Sequence, residues 1–237
     1  MERGRVEEAG ATGSRVVARA DDGIAELALL RRRTPDGDVL ELVVDGVFAM
    51  DDVDTTTERA LATEALRRLP GRDLRVLVGG LGLGWTAATA LAEPRDGTVE
   101  VAELHAPLVR WAEEGRLPAL LPGDPRLRVR TGDVADVLAG HDGRWDAVLL
   151  DVDNGPGFLV HRSNDALYRP AGLAGAVAAL RPHGVVAIWS SSPAPRLREA
   201  LARLPTTADA EELLLPVARD GREFTYAVVL ARRSATG

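Results

Sequence analysis

The chain has 237 residues, 46% hydrophobic and 27% charged, a length that holds one large domain, or a large and a small one, with ample core. A net charge of −7 leaves no basic excess to engage phosphate, which argues against nucleic acid or an anionic membrane as main partner. With no Cys and with His105, His141, His161 and His183 scattered, no disulfide, thiolate zinc site, thiol nucleophile or other metal site is expected.

Met1 to Ser14 is polar and rich in Gly, Ala and Glu, so residues 1–21 read as a tail. No apolar run approaches a membrane span and no signal-peptide core precedes the first strands, so a cytoplasmic location is expected. All 29 basic residues are Arg, which names no partner. Ile24 to Arg33, Val39 to Val44 and Val47 to Met50 predict three short strands, separated by turns at Thr34–Asp38 and Asp45-Gly46. Thr55 and Glu58 are spaced as a capping box for a helix carrying Leu61, Ala65, Leu66 and Leu69, which stops at Pro70-Gly71. Residues 22–70 thus form a small β unit with a linking helix, and 71–237 a larger domain.

Val76 to Val78 is a buried strand that runs into Gly79-Gly80-Leu81-Gly82-Leu83-Gly84 and a helix from Trp85 to Ala92. Glycine permits a tight turn and lets a flat ligand lie against bare backbone beside the N–H groups of the helix start. A P-loop would need Lys and then Ser or Thr after Gly84, where Trp85 and Thr86 stand. A dinucleotide fingerprint from Gly80 would want Gly or Ala at position 85, which is Trp85. Gly80-x-Gly82-x-Gly84 remains, the form of S-adenosylmethionine (SAM)-dependent transferases.

Thr98 to Ala102 is the next strand, ending at Glu103 about twenty residues past the turn, where a ribose-binding acid belongs. Glu103 can alternatively cap the helix from Ala106, and Leu104 follows it at the same edge. Leu127 to Thr131 ends in Gly132-Asp133-Val134. Asp133 either accepts from an adenine amino group or serves as N-cap of the helix Val134 to Leu138. Trp145 to Leu150 runs into Asp151-Val152-Asp153-Asn154-Gly155-Pro156-Gly157, a strand end opening into a cleft. Asp151 and Asp153 are the candidate catalytic acids. His161, Arg162 and Asn164 follow on a loop that can meet an acceptor or simply face solvent.

Tyr168 to Leu180 predicts a helix, Val185 to Trp189 a strand and Arg196 to Leu204 a helix. Glu211 to Val217 and Glu223 to Leu230, joined at Arg219-Asp220-Gly221, predict a closing hairpin. The alternation is that of an α/β, doubly wound, Rossmann-like SAM-dependent methyltransferase fold with a closing antiparallel hairpin, preceded by a small N-terminal β unit. The four Trp read as core or cleft wall.

With these parts in this order, the chain resembles the spermidine synthase (polyamine aminopropyltransferase) family and its methyltransferase-like relatives, over about Asp22 to Arg232. The family carries a glycine turn, an acid after the second strand, an Asp-Ala pair after the third and Asp-Ser-x-Asp-Pro-x-Gly-Pro after the fourth. The resemblance implies a SAM-type donor at Gly79, Gly80, Gly82, Gly84, Glu103, Leu104, Asp133 and Val134, an acceptor-facing Asp151, and a homodimer or larger assembly built through the β unit. It implies no metal.

Three departures matter. The family's Tyr-His pair that helps hold an amine is Thr56-Thr57 here, and the second loop acid falls nearest Asn154. The family turn, Gly-Gly-Gly-Asp-Gly-Gly, has Gly82 in place of the Asp that holds the free amine of decarboxylated SAM. From the sequence, intact SAM is therefore the expected donor, with S-adenosylhomocysteine as product and a small-molecule amine or hydroxyl as methyl acceptor. The alternatives are aminopropyl transfer from decarboxylated SAM, or a catalytically silent SAM-binding or oligomeric interaction protein.

Overall fold

Asp45 and Gly46 both have positive φ, 50° and 74°, the pair of left-handed residues that a tight two-residue hairpin turn requires. They join β3 (Gly37–Val44) to β4 (Val47–Asp51) in an antiparallel meander that begins with β1 (Ser14–Asp21) and β2 (Glu26–Thr34). The computed structural model describes residues 13–93, 95, 97–140, 142–152, 165–219 and 221–235. Asp153, Asn154, His161, Arg162 and Asn164 lie outside the described residues.

β1 is a strand where a tail was expected. Val17, Ala18 and Ala20 pack on the core while Arg15 and Arg19 stay exposed. A register shift between Val16 and Ala18 breaks the alternation by which such a strand would be recognised. Leu27 and Leu29 of β2 and Leu40 and Leu42 of β3 are buried in one cluster with Leu61, Ala65 and Leu66 of α1 (Thr56–Arg67).

The capping box at the start of α1 does not form. Thr55 makes no side-chain cap bond, and the Asp54 carboxylate accepts the Thr56 N–H instead, at 2.9 Å. Glu58 turns away from the helix start toward a cavity, where its Oε2 accepts from the Thr57 hydroxyl at 2.8 Å.

The second sheet has seven strands among the described residues, in the order β10-β11-β9-β8-β5-β6-β7. β5 (Leu74–Gly79), β6 (Gly97–Glu103), β7 (Leu127–Thr131), β8 (Trp145–Leu150) and β9 (Leu180–Ser190) are parallel. β10 (Thr207–Arg219) and β11 (Arg222–Arg233) close the edge as an antiparallel hairpin. The expected doubly wound α/β architecture with its separate N-terminal sheet is therefore present. Helices α2 (Trp85–Leu91), α3 (Ala106–Glu113), α4 (Val134–Ala139), α5 (Asp165–Tyr168), α6 (Pro170–Ala178) and α7 (Pro195–Ala202) complete it.

The sheet has two covered faces, as a parallel sheet needs. Along β5, Val76 and Val78 join the core on one face and Leu77 the core on the other. The helix expected from Tyr168 to Leu180 divides at Arg169-Pro170, because Pro170 suits a first helical turn and not a helix interior. β9 also starts early, passing through Pro182 and through His183 with φ 66°. The chain runs from β5 to β6 and β7 on one side, then returns to β8 on the other. That reversal opens a crevice at the carboxyl ends of β5 and β8, where ligands of open α/β sheets bind.

Candidate active site

The crevice is a cavity lined by Gly80, Leu81 and Gly82 of the turn, Glu103 and Leu104 after β6, Asp133 and Val134 after β7, and Asp151 and Val152 after β8. Leu42, Val44, Ala49 and Met50 of the N-terminal sheet form the facing wall, and Glu58 and Trp189 complete it. Counting its open mouth, it holds about 1010 Å³ of empty space, at the upper end of the range for small-molecule sites.

The glycine turn is tight for steric reasons. Gly80 has φ 87°, and a Cβ there would run into the backbone carbonyl of Asp151. Gly84 has φ 90° as N-cap of α2, and a Cβ on it would lie 2.8 Å from Leu120. Gly79 sits under Val134, whose Cγ2 would be 2.9 Å from an added Cβ. Gly79 and Gly84 thus shape the turn without bordering the cavity, whereas Gly80 and Gly82 border it.

Glu103 is a buried acid, 4% exposed. One carboxylate oxygen accepts from the Leu81 N–H of the turn at 2.7 Å, the other from the His105 N–H at 2.8 Å. The Leu104 backbone N–H is a third donor to the same carboxylate. Burial raises its pKa, opposed by the backbone donors of His105 and Leu81 and by the charge of His105. This side chain does not cap α3, whose N-cap His105 makes no side-chain cap bond.

His105 is in turn held from the N-terminal sheet. Its Nδ1 lies 3.0 Å from Asp22 Oδ2, and the other oxygen of Asp22 accepts from the Ile24 and Ala25 backbones. Burial would push the Asp22 carboxyl up, but those backbone donors and His105 outweigh it and hold the carboxyl below its ordinary value.

Asp133 serves as a helix N-cap and also stands on the cavity wall. Its Oδ1 accepts the Ala135 N–H at 2.8 Å as N-cap of α4, and the residue also borders the cavity. Asp151 stands at the end of β8, tied to β5 by its N–H donating to the Gly79 carbonyl at 2.8 Å. Its carboxylate accepts from the Thr86 hydroxyl at 2.7 Å. Burial raises its pKa while the Thr86 bond opposes the rise.

Four residues that the sequence reading did not place here belong to the site. Thr86 orients Asp151, and Met50 lies against the turn, accepting the Leu83 N–H at 3.3 Å. His105 braces Glu103, and Glu58 brings a further carboxylate. Burial, then the neighbouring charge of Asp151, pushes the Glu58 carboxyl up to about 7. Two signals marked Glu58 in the sequence: its spacing from Thr55, which suits a cap, and its place directly after Thr56-Thr57, where the resemblance puts the amine-holding pair.

No protein-family model and no curated protein matches the sequence. Among solved structures, a spermidine synthase in complex with the transition state analogue AdoDATO superposes with a TM-score of 0.75 at 16% identity, over 93% of this chain and 74% of that one. The Thermotoga maritima spermidine synthase gives 0.72 at 16%, over 93% and 73%. A probable spermidine synthase from Corynebacterium glutamicum gives 0.63 at 17%, over 91% and 79%. The chain has the fold of the spermidine synthases.

Proposed function

We propose that the protein is a transferase that moves an aminopropyl group from a decarboxylated SAM-type donor to an amine. One observation carries this reading. The cavity is bordered by Glu58, Glu103, Asp133 and Asp151, with His105, itself paired to Asp22, as the one basic residue and no Arg among its described lining residues. Intact SAM has an α-carboxylate that these carboxylates would repel, whereas decarboxylated SAM and an alkylamine carry only positive charge. Acidic walls favour cations and disfavour a carboxylate. The spermidine synthase fold supports the same reading. It reverses the order in which the sequence ranks the donors.

The buried Glu103 suits a ribose hydroxyl: of a carboxylate's roughly four acceptor sites, the Leu81, His105 and Leu104 N–H groups take three. Asp133, with Oδ1 spent on Ala135, has Oδ2 for the adenine amino group. The bare backbone at Gly80 admits a flat ring. A sulfonium donor supplies a carbon activated by the positive sulfur beside it. Asp151, fixed by Thr86, accepts an N–H bond from the acceptor nitrogen and aims its lone pair, and alignment of this kind supplies much of the rate. Displacement forms the N–C bond, breaks the C–S bond with its pair passing to sulfur, and releases one proton.

A second reading is methyl transfer from intact SAM, favoured by one residue, Gly82, which puts no carboxylate against the donor's tail. Each donor, incubated with the protein and a panel of diamines and monoamines, separates the two by mass spectrometry. Methylthioadenosine with an aminopropylated amine supports the first, and S-adenosylhomocysteine with a methylated product the second. Donor binding with no product from either would mark a silent binding protein and overturn both.

A further inference from the structure

We propose that Glu58 is the proton receiver of the amine site, forming with Asp151 a two-carboxylate clamp for an alkylammonium ion. The proposal rests on the amine-transfer reading. Both side chains border one cavity, from elements far apart in the chain: Glu58 from the first turn of α1 and Asp151 from the end of β8. Thr86 of α2 sits between them, its hydroxyl 2.7 Å from Asp151 Oδ2 and 3.3 Å from the Glu58 carbonyl oxygen.

The two acids are equipped differently. Asp151 receives the Thr86 hydroxyl, which favours its ionised form and fixes its direction. Glu58 receives its own backbone N–H and the Thr57 hydroxyl beside it, both local to its helix turn, and titrates at about 7 because burial and the Asp151 charge outweigh them. A group that titrates near the working pH is best suited to take a proton and give it up again.

The surroundings leave a cation wanting. Asp54, before α1, adds negative charge. From β9, the ring of Trp189 borders the cavity. Arg59, next along the helix, is turned to the Thr55 hydroxyl at 2.9 Å and over the Trp85 ring at 4.6 Å. An alkylammonium between the carboxylates gives one proton to Glu58. The resulting neutral nitrogen stays bonded to Asp151, attacks carbon and becomes a secondary ammonium, and Glu58 returns its proton to solvent.

The test is calorimetry of 1,4-diaminobutane on the protein saturated with methylthioadenosine, for the wild type, Glu58→Gln and Glu58→Asp. The expected result is wild-type binding, at least a tenfold loss in Glu58→Gln, partial recovery in Glu58→Asp, and unchanged methylthioadenosine affinity throughout. No diamine binding by the wild type, or equal binding by Glu58→Gln, overturns the proposal. Loss of methylthioadenosine affinity in Glu58→Gln also overturns it, by making the role structural. Diamine binding that depends on Glu58, without consumption of any donor, would sink the transfer reading and leave the clamp standing.

Discussion

The sulfur of Met50 lies 3.3 Å from the backbone nitrogen of Leu83, so a side chain of the N-terminal sheet is seated on the glycine turn of the larger sheet. A Cβ on Gly82 would stand 2.6 Å from that sulfur, on a residue with φ 51°. The Met50 thioether thus fills the space that a side chain at position 82 would take.

This decides how donor choice is to be probed. Gly82→Asp alone meets backbone strain and Met50 together, and should weaken both donors. Gly82→Asp with Met50→Ala removes the collision. Two unit charges about 4 Å apart interact by about 4 kcal/mol at an effective dielectric of 20. With solvent in an open cleft, a tenfold or greater shift toward decarboxylated SAM is expected, about 1.4 kcal/mol or more. Gly82→Ala with Met50→Ala is the control. Equal losses in both double variants would show that charge at position 82 is not read.

Glu103→Ala should weaken adenosyl-donor binding by on the order of 1–3 kcal/mol, as for lost hydrogen bonds to a charged acceptor. It should also lower the melting temperature, since the Leu81 and His105 N–H groups lose their partner. Calorimetry that finds full affinity in the variant would remove Glu103 from the site.

Asp151→Asn should lower turnover by roughly 10²–10⁴-fold with donor affinity retained. Thr86→Val should have a smaller effect in the same direction, because it frees Asp151 to rotate. A parallel collapse of donor binding in single-turnover measurements would make Asp151 a structural residue.

The Glu58 carboxyl gives a pH signature with a definite sign. Its folded-state value, about 7, is raised from 4.5, so the folded chain prefers the protonated form. The associated stability is fully present below about pH 4.5 and lost as pH rises through 7. Glu58→Gln should therefore melt higher than wild type above pH 7, with the difference vanishing near pH 4.5. Melting curves that differ by the same amount at pH 4.5 and 8 would exclude a titrating Glu58.

Assembly through the N-terminal sheet is expected from its surface. Val47, Phe48 and Val53 are 67%, 48% and 58% exposed, and β4 is an edge strand, a feature that proteins usually cover. Light scattering at micromolar concentration should give a dimer or larger species, and Val47→Lys should lower its mass. A monomeric wild type would refute this.

The larger sheet was legible because its signals are local. The glycines close β5 and follow it directly, Glu103 ends β6, Asp133 comes two residues after β7 and Asp151 directly after β8, so each is marked by the strand before it. What the sequence hid is assembled across long separations. Met50 meets Leu83 and Asp22 meets His105 only once the two sheets are docked, Thr86 meets Asp151 across the larger sheet unit, and Glu58 reaches it when α1 packs on α2 and β8. Glu58 also carried a misleading local pattern, since its spacing from Thr55 is that of a capping box. β1 went unseen because its register shift spoils the period, and the Arg169-Pro170 break because the apolar pattern continues through it.

The Asp22–His105 contact joins the loop after β1 to the backbone that holds Glu103, so filling the proposed ribose site and docking the N-terminal sheet are expected to stabilise one another. Linkage makes that coupling reciprocal. A bound nucleoside should slow amide hydrogen exchange in β1 and β2, strands without a residue among those bordering the cavity, and Asp22→Ala should uncouple that protection from ligand occupancy.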